Sequence, residues 1–390
     1  MRVLMISGDR LTAAGGKGPL YETQRGFSRY FERVDILLPR PDRPVTTREI
    51  LGNVHLHPAD RGRAGLVDFW KRRGGELIRE TKPGLIVSHD YGLFQTGRAA
   101  AALSRASGVP YLSEIHGVPG YPIASDLRER FKLAATKLYL RWASDRARAF
   151  RVVNSAELVP FLESQGVPAE KILVLRALYI DLGTFRRVEA PITREQDIVW
   201  AGRFDANKGL ELIVDAIALA KSRGRRRSVL LIGKGPLENV IRERARSRGV
   251  EDLVAIRGWT DSKLELAEAY RRSGLVVCAS GCEGGPRSTV EGMACGIPAV
   301  STPVGMMKEL IRDGENGWLC GFDAASLAAA FEQVLGAESR RAAMGIQACA
   351  DVQPFEYERT IRDYAAGLHG IAGETMPASP RPAFEAAGAS

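Results

Sequence analysis

The chain has 390 residues, 45% hydrophobic and 26% charged, enough for two domains with separate cores and too apolar for bulk disorder. No apolar run approaches the roughly 20 residues that span a bilayer, and the opening MRVLMISGDR turns polar too early for a signal peptide, so a cytoplasmic protein is expected. The net charge of +9 calls for an anionic partner, but no DNA- or RNA-binding signature accompanies it, which argues against nucleic acid.

Val3 to Ser7 reads as a short buried strand, followed by a loop with Gly15 and Gly16 and a helical pattern on Leu20, Thr23, Phe27, Tyr30 and Phe31. Glycines between strand and helix let a backbone approach a phosphate closely, although the dinucleotide spacing G-x-G-x-x-G is absent. Strands are predicted at 34–39, 54–58, 85–90, 111–117, 150–155 and 172–176, with helical stretches between them. That alternation implies a mostly parallel sheet covered on both faces, with ligands at the carboxyl ends of its strands. His89, Asp90, Glu114 and His116 fall at such ends.

His55 and His57 share a strand face with no partner spaced to complete a metal site, and read as polar surface. Two stretches, Arg61–Arg73 and Asp126–Arg151, mix basic residues with Phe69, Trp70, Phe131, Leu138, Tyr139 and Trp142. Both suit either an anionic membrane surface, on its inner face, or a solvated amphipathic helix.

Residues 185–197 are polar, charged and contain Pro191, which places a linker between a first domain over 1–188 and a second over 197–354. The second has its own strands at 197–202, 229–233, 253–258, 275–280 and 298–302. At the end of the first of these, Arg203 and Lys208 precede a helix, where two cations would neutralise a diphosphate. Gly233 lies in a strand-to-helix turn and Trp259 after the third strand. The five cysteines are an odd number without a C-x2-C framework, so they are read as reduced, and no metal is expected. Tyr357, Ile361, Tyr364, Leu368 and Ile371 form one stripe of an amphipathic helix over 355–372, and 373–390 is expected to be disordered.

The organising stretch is EGGPRSTVEGMACGIPAVSTPVG, Glu283 to Gly305. It follows an apolar strand, LVVCAS, and a helix starting near Pro286 would leave the N–H groups around Ser288 and Thr289 without intrahelical partners. Free donors and the helix dipole favour a phosphate there. Glu283 before that end and Glu291 a turn and a half inside it can face one cleft. Carboxylates beside a phosphate suit hydroxyls that donate to them, which points to a nucleotide sugar.

Glu-x7-Glu followed by GMACGIPAVSTPVG and DGENGWL resembles the donor-site signature of the retaining family-four glycosyltransferases, and GRFDANKG resembles their G-R-x-x-x-x-K-G segment. The resemblance implies an α/β protein of the GT-B fold, with two Rossmann-like parallel-sheet domains facing across a cleft and the last helix packed back on the first. It implies Arg203 and Lys208 on the donor phosphates, Glu283 on the transferred sugar and Glu291 on the ribose. It also places Gly285, Pro286, Arg287, Ser288 and Thr289 at the donor, Gly15 and Gly16 under the diphosphate, Gly233 and Trp259 by the nucleotide, and His116 on a sugar hydroxyl. His89 and Asp90 would face the acceptor. The activity implied is retaining, metal-independent transfer of a hexose-type sugar from a UDP- or GDP-linked donor to a glycan or lipid-linked acceptor. The chain departs from the family by having Gly284, Gly285, Pro286 and Arg287 where Phe-Gly-x-x or Phe-Pro-x-x is common, so the sugar stays open. A nucleotide-sugar epimerase of the same fold and a non-catalytic sugar or membrane adaptor are the alternatives; a dehydrogenase lacks its glycine fingerprint.

Overall fold

The structure, a computed structural model, describes residues 1–42, 48–60, 62–90, 94–176, 178–189 and 192–381. The chain forms two parallel-sheet α/β units. The first sheet contains β1 (Arg2–Ile6), β2 (Arg33–Leu38), β3 (Glu49–Ile50), β4 (Val54–Pro58), β5 (Leu85–His89), β6 (Tyr111–Ile115), β7 (Ala149–Val152) and β8 (Ile172–Val174). Its order is β3-β4-β2-β1-β5-β6-β7-β8, parallel apart from the two-residue β3, which was not predicted. The second contains β9 (Gln196–Ala201), β10 (Val229–Ile232), β11 (Val254–Arg257), β12 (Ser273–Cys278), β13 (Ala299–Ser301) and β14 (Gly317–Leu319), in the order β11-β10-β9-β12-β13-β14. The central strands are mostly apolar, as covering both faces with helices favours, with buried polar residues such as Asp35, Ser88, Ser113, Glu114 and Arg151 among them.

Strand order reverses between β1 and β5 in the first sheet and between β9 and β12 in the second. At such switch points the following loops part to opposite faces and leave a crevice beyond the strand ends. The helix Tyr357–Ile371 crosses back to the first unit, where Tyr357 donates from its hydroxyl to Glu22 O at 2.7 Å and Tyr364 packs edge-on against Phe27. Behind it, 373–381, which sequence placed in a disordered tail, is held to the same unit: Met376 packs on its core and the Arg381 amide donates to Arg29 O at 2.8 Å. Residues 382–390 lie outside the described residues, as do Pro191 of the expected linker and Arg61 of the first basic stretch. Phe185, where that linker was to begin, is buried in the second unit's core.

One expected surface is corrected. Phe69 and Trp70 are buried in the first core, so they offer nothing to a membrane; the amphipathic helix Leu66–Thr81 turns them inward because their burial against the sheet outweighs exposure. Tyr139 is buried too. On the helix Leu127–Ala143, by contrast, Leu127, Phe131, Leu138 and Trp142 are exposed at helical spacing among basic side chains.

Candidate functional site

The loops beyond the switch points enclose a cleft of about 780 Å³ between the units. The first unit contributes Ser7, Gly8 and Asp9 after β1, His89 at the end of β5, and Glu114 and His116 at the end of β6; the second contributes Glu283, Gly284, Gly285 and Arg287. Of the residues singled out from sequence, His89, Glu114, His116, Glu283, Gly285 and Arg287 therefore share one cavity.

The two units touch at backbone level here. A Cβ on Gly284 would stand 1.8 Å from the His116 carbonyl oxygen, so only glycine allows the approach. Asn154 Nδ2 donates to Gly284 O at 3.0 Å, while Asn154 Oδ1 accepts from the amides of Glu157 and Leu158. Glu309 takes the amides of Ser155 and Ala156 at 3.0 and 3.1 Å, and Lys308 pairs with buried Glu157 at 3.1 Å. These bonds hold the Glu283 loop against the first unit.

Lys208 ends a 3₁₀ turn after β9, and its Nζ lies 2.5 Å from Glu283 Oε1, which also accepts from Ser280 Oγ at 2.9 Å. Burial works against the ammonium, but Glu283 beside it prevails and holds Lys208 above its usual range. Arg203 does not join them: its side chain is 74% exposed and pairs with Asp205 at 3.1 Å. The loop turns back after β9, so strand-end position alone does not aim a side chain inward.

The helix after Glu283 runs Arg287–Ala294 with Pro286 as its cap residue, one position later than expected. Its first turn is tight: the Thr289 amide already donates to Pro286 O at 3.1 Å. The amides of Arg287 and Ser288 have no backbone acceptor among the described residues, so these two, and not Thr289, are the unpartnered donors of this helix start. Glu291, expected to share the cleft with Glu283, is not part of its lining; burial pushes its carboxyl up to about 7 against the pull of Arg287 and Lys263.

On the first unit the sequence missed a charge network. Glu114 and Arg151 are both fully enclosed and 3.4 Å apart; Arg151 also donates to Tyr364 Oη at 2.9 Å and to Leu175 O at 2.9 Å. Glu114 Oε2 faces His89 Nε2 at 3.2 Å and His116 Nε2 at 3.4 Å. Burial would raise the Glu114 carboxyl, yet Arg151 and the imidazoles hold it well below the carboxylate range, whereas burial pushes His89 down to about 4. The available signal was Arg151 inside the apolar run FRVV, a place where a charge must be paired.

Other expected positions lie away from the cleft lining. Gly15 and Gly16 sit beyond a one-turn helix, Arg10–Ala13, capped by Asp9; this turn directs Gly8 to the cleft and packs Gly16 on Leu11. Asp90 is buried behind the cleft, where Ser88, Thr96, Ser113 and Tyr139 donate to it, so it does not face an acceptor. Gly233 packs on Gly202 O, and Trp259 is 51% exposed, two residues past β11. His57, read as polar surface, has Asp35 Oδ1 of β2 at 2.8 Å.

Comparison with known proteins defines the class. Residues 20–177 match the glycosyl transferase 4-like domain and 183–350 match glycosyl transferases group 1. The chain belongs to the group 1 glycosyltransferases, into which family four fits. The WcaL glycosyltransferase of Escherichia coli (strain K12), provisionally named for colanic acid biosynthesis, is 33% identical over 184 residues, 44% of this chain and 45% of that protein. This chain thus aligns with less than half the length of that relative. Sucrose-phosphate synthase from Thermosynechococcus elongatus superposes with a TM-score of 0.77 at 20% identity, over 95% of this chain and 99% of that one. Anabaena HepE in complex with UDP-glucose gives 0.71 at 18%, over 95% and 100%. These neighbours share the GT-B fold.

Proposed function

We propose that this protein transfers a hexose-type sugar from a UDP- or GDP-linked donor to a glycan or lipid-linked acceptor in cell-surface polysaccharide or glycolipid synthesis. The observation that carries this reading is the Lys208–Glu283 contact beside the unpartnered amides of Arg287 and Ser288, at the second sheet's switch point. The colanic acid relative and the UDP-glucose complex of the structural neighbour support the substrate class.

Cleaving the anomeric C–O bond places negative charge on the departing diphosphate, and fixed donors act most strongly where that charge develops. In this reading Lys208 and the two amides supply those donors, and the exposed Arg203 joins them by the reach of its long side chain. A donor diphosphate that draws Lys208 away frees Glu283 to accept from sugar hydroxyls, while Glu291 accepts from the ribose. His116 donates to the sugar from the opposite wall. Retention follows if the acceptor approaches from the leaving-group side and gives its proton to a donor phosphate oxygen; no step calls for a metal.

No helix among the described residues is long and apolar enough to cross a membrane. The exposed stripe on Leu127–Ala143 supports peripheral attachment to the anionic inner face of one. The test of the whole reading is a screen of UDP-, GDP- and ADP-sugars for thermal stabilisation, since a ligand bound by the native state alone raises apparent stability. It is followed by product analysis: an isomer of the donor would indicate an epimerase, and no shift with any donor would end the reading.

A further inference from the structure

Carboxylates facing the cleft are already matched. Glu283 has Lys208, Glu114 has Arg151, and Asp9 caps the helix Arg10–Ala13 by accepting from the Thr12 amide. Two arginines in the same lining have no carboxylate within ion-pair distance among the described residues: Arg176, from the segment after β8, and Arg287. Aromatic rings hold them instead. Arg287 lies over Tyr179, 4.5 Å from the ring centre, and Arg176 over Phe355 at 5.1 Å.

The two platforms are joined, because Ile180 N donates to Phe355 O at 2.7 Å where the chain crosses back to the first unit. Tyr179 is further fixed by its edge-on contact with Tyr357 and by donating to Pro19 O at 3.3 Å. Stacking on a ring supports a guanidinium without occupying its N–H edge, which remains available for bidentate bonds to an anion. Arg287 offers its amide at the helix start and its guanidinium over Tyr179, so backbone and side chain of this residue serve two groups, while Arg176 reaches the cleft from the first unit.

We propose that the acceptor carries an anionic group, a phosphate ester or a carboxylate, and that Arg176 and Arg287 bind it in the cleft. This deepens the glycosyl-transfer reading and rests on it. The cation–aromatic pairs make the group specificity-determining: a neutral glycan would leave the N–H edges of exposed Arg176 and half-buried Arg287 without an anionic acceptor.

The experiment titrates the full chain, with and without saturating UDP, with inorganic phosphate, glucuronate or glucose, following thermal stabilisation. Expected is a shift in UDP-saturated protein with one or both anions and none with glucose. Arg176→Gln and Arg287→Gln would each weaken that anion response about tenfold. Phosphate alone acting identifies a phosphate-bearing acceptor, and glucuronate alone a carboxylate. An equal response to glucose, or full anion response in Arg176→Gln, overturns the proposal. Failure of UDP to stabilise the protein would instead count against the donor reading, with the anion titration of the two variants still deciding this one.

Discussion

Lys208 and Glu283, 75 positions apart in the chain, form an ion pair with Nζ 2.5 Å from Oε1. Each was expected to engage the donor separately; the fold brings them against one another. Lys208→Ala should therefore remove the thermal shift given by the preferred donor and lower turnover by about 10²–10³, the usual cost of deleting one charge-stabilising donor. An unchanged shift would contradict the assigned site. Arg203→Ala, altering an exposed side chain paired with Asp205, should raise the donor KM while the melting temperature of the protein without donor stays put.

Gly284 and the His116 carbonyl set the closeness of the two units. Gly284→Ala inserts a methyl group where 1.8 Å is available, so it should cost about 1–3 kcal/mol or more and abolish transfer. Gly370→Ala, a helical glycine with open space around it, should be neutral or stabilise by up to about 1 kcal/mol. Denaturant midpoints of the two variants check the contrast; equal midpoints would refute it.

Glu291 gives a pH dependence with a definite sign. Its carboxyl is raised to about 7, so it is mostly protonated at pH 6 in the unliganded protein. Ribose hydroxyls donate to the carboxylate form, hence the affinity for uridine, which has no phosphate of its own to titrate, should rise between pH 6 and 8 and then level. Folding favours the protonated form, so the unliganded protein should lose that contribution as pH climbs from 4.5 through 7. Glu291→Gln should flatten both profiles. Calorimetric titration of uridine across this range is the measurement, and an unaltered slope in the variant would remove Glu291 from the ribose.

Glu114 and Arg151 are fully enclosed, so deleting one charge strands the other. Glu114→Gln should destabilise by about 3–5 kcal/mol, read from urea unfolding. A loss below about 1 kcal/mol would show that water reaches the pair.

Phe131, Leu138 and Trp142 lie exposed on one helix face. Replacing all three by serine should abolish sedimentation with anionic liposomes at high salt, where screening removes the contribution of the basic residues. Retained pelleting would rule this face out as the anchor.

Alternation of apolar runs with amphipathic stretches was enough to show the parallel strands of both sheets, because a strand covered on two faces is mostly apolar and any charge within it must be paired. Glu283 lines the cleft from the loop before the helix Arg287–Ala294, whereas Glu291, inside that helix, is not part of the lining, because the turn of the helix decides which of its side chains reach the cavity. The direction of Arg203, the burial of Trp70 and the diversion of Gly15 and Gly16 were not legible, since each depends on how one loop or helix is rotated about its own axis. The Lys208–Glu283 pair, the Glu114–Arg151 network and the Gly284 contact join segments far apart in sequence. Local propensity carries no term for such meetings; only the packing of the two units against each other decides them.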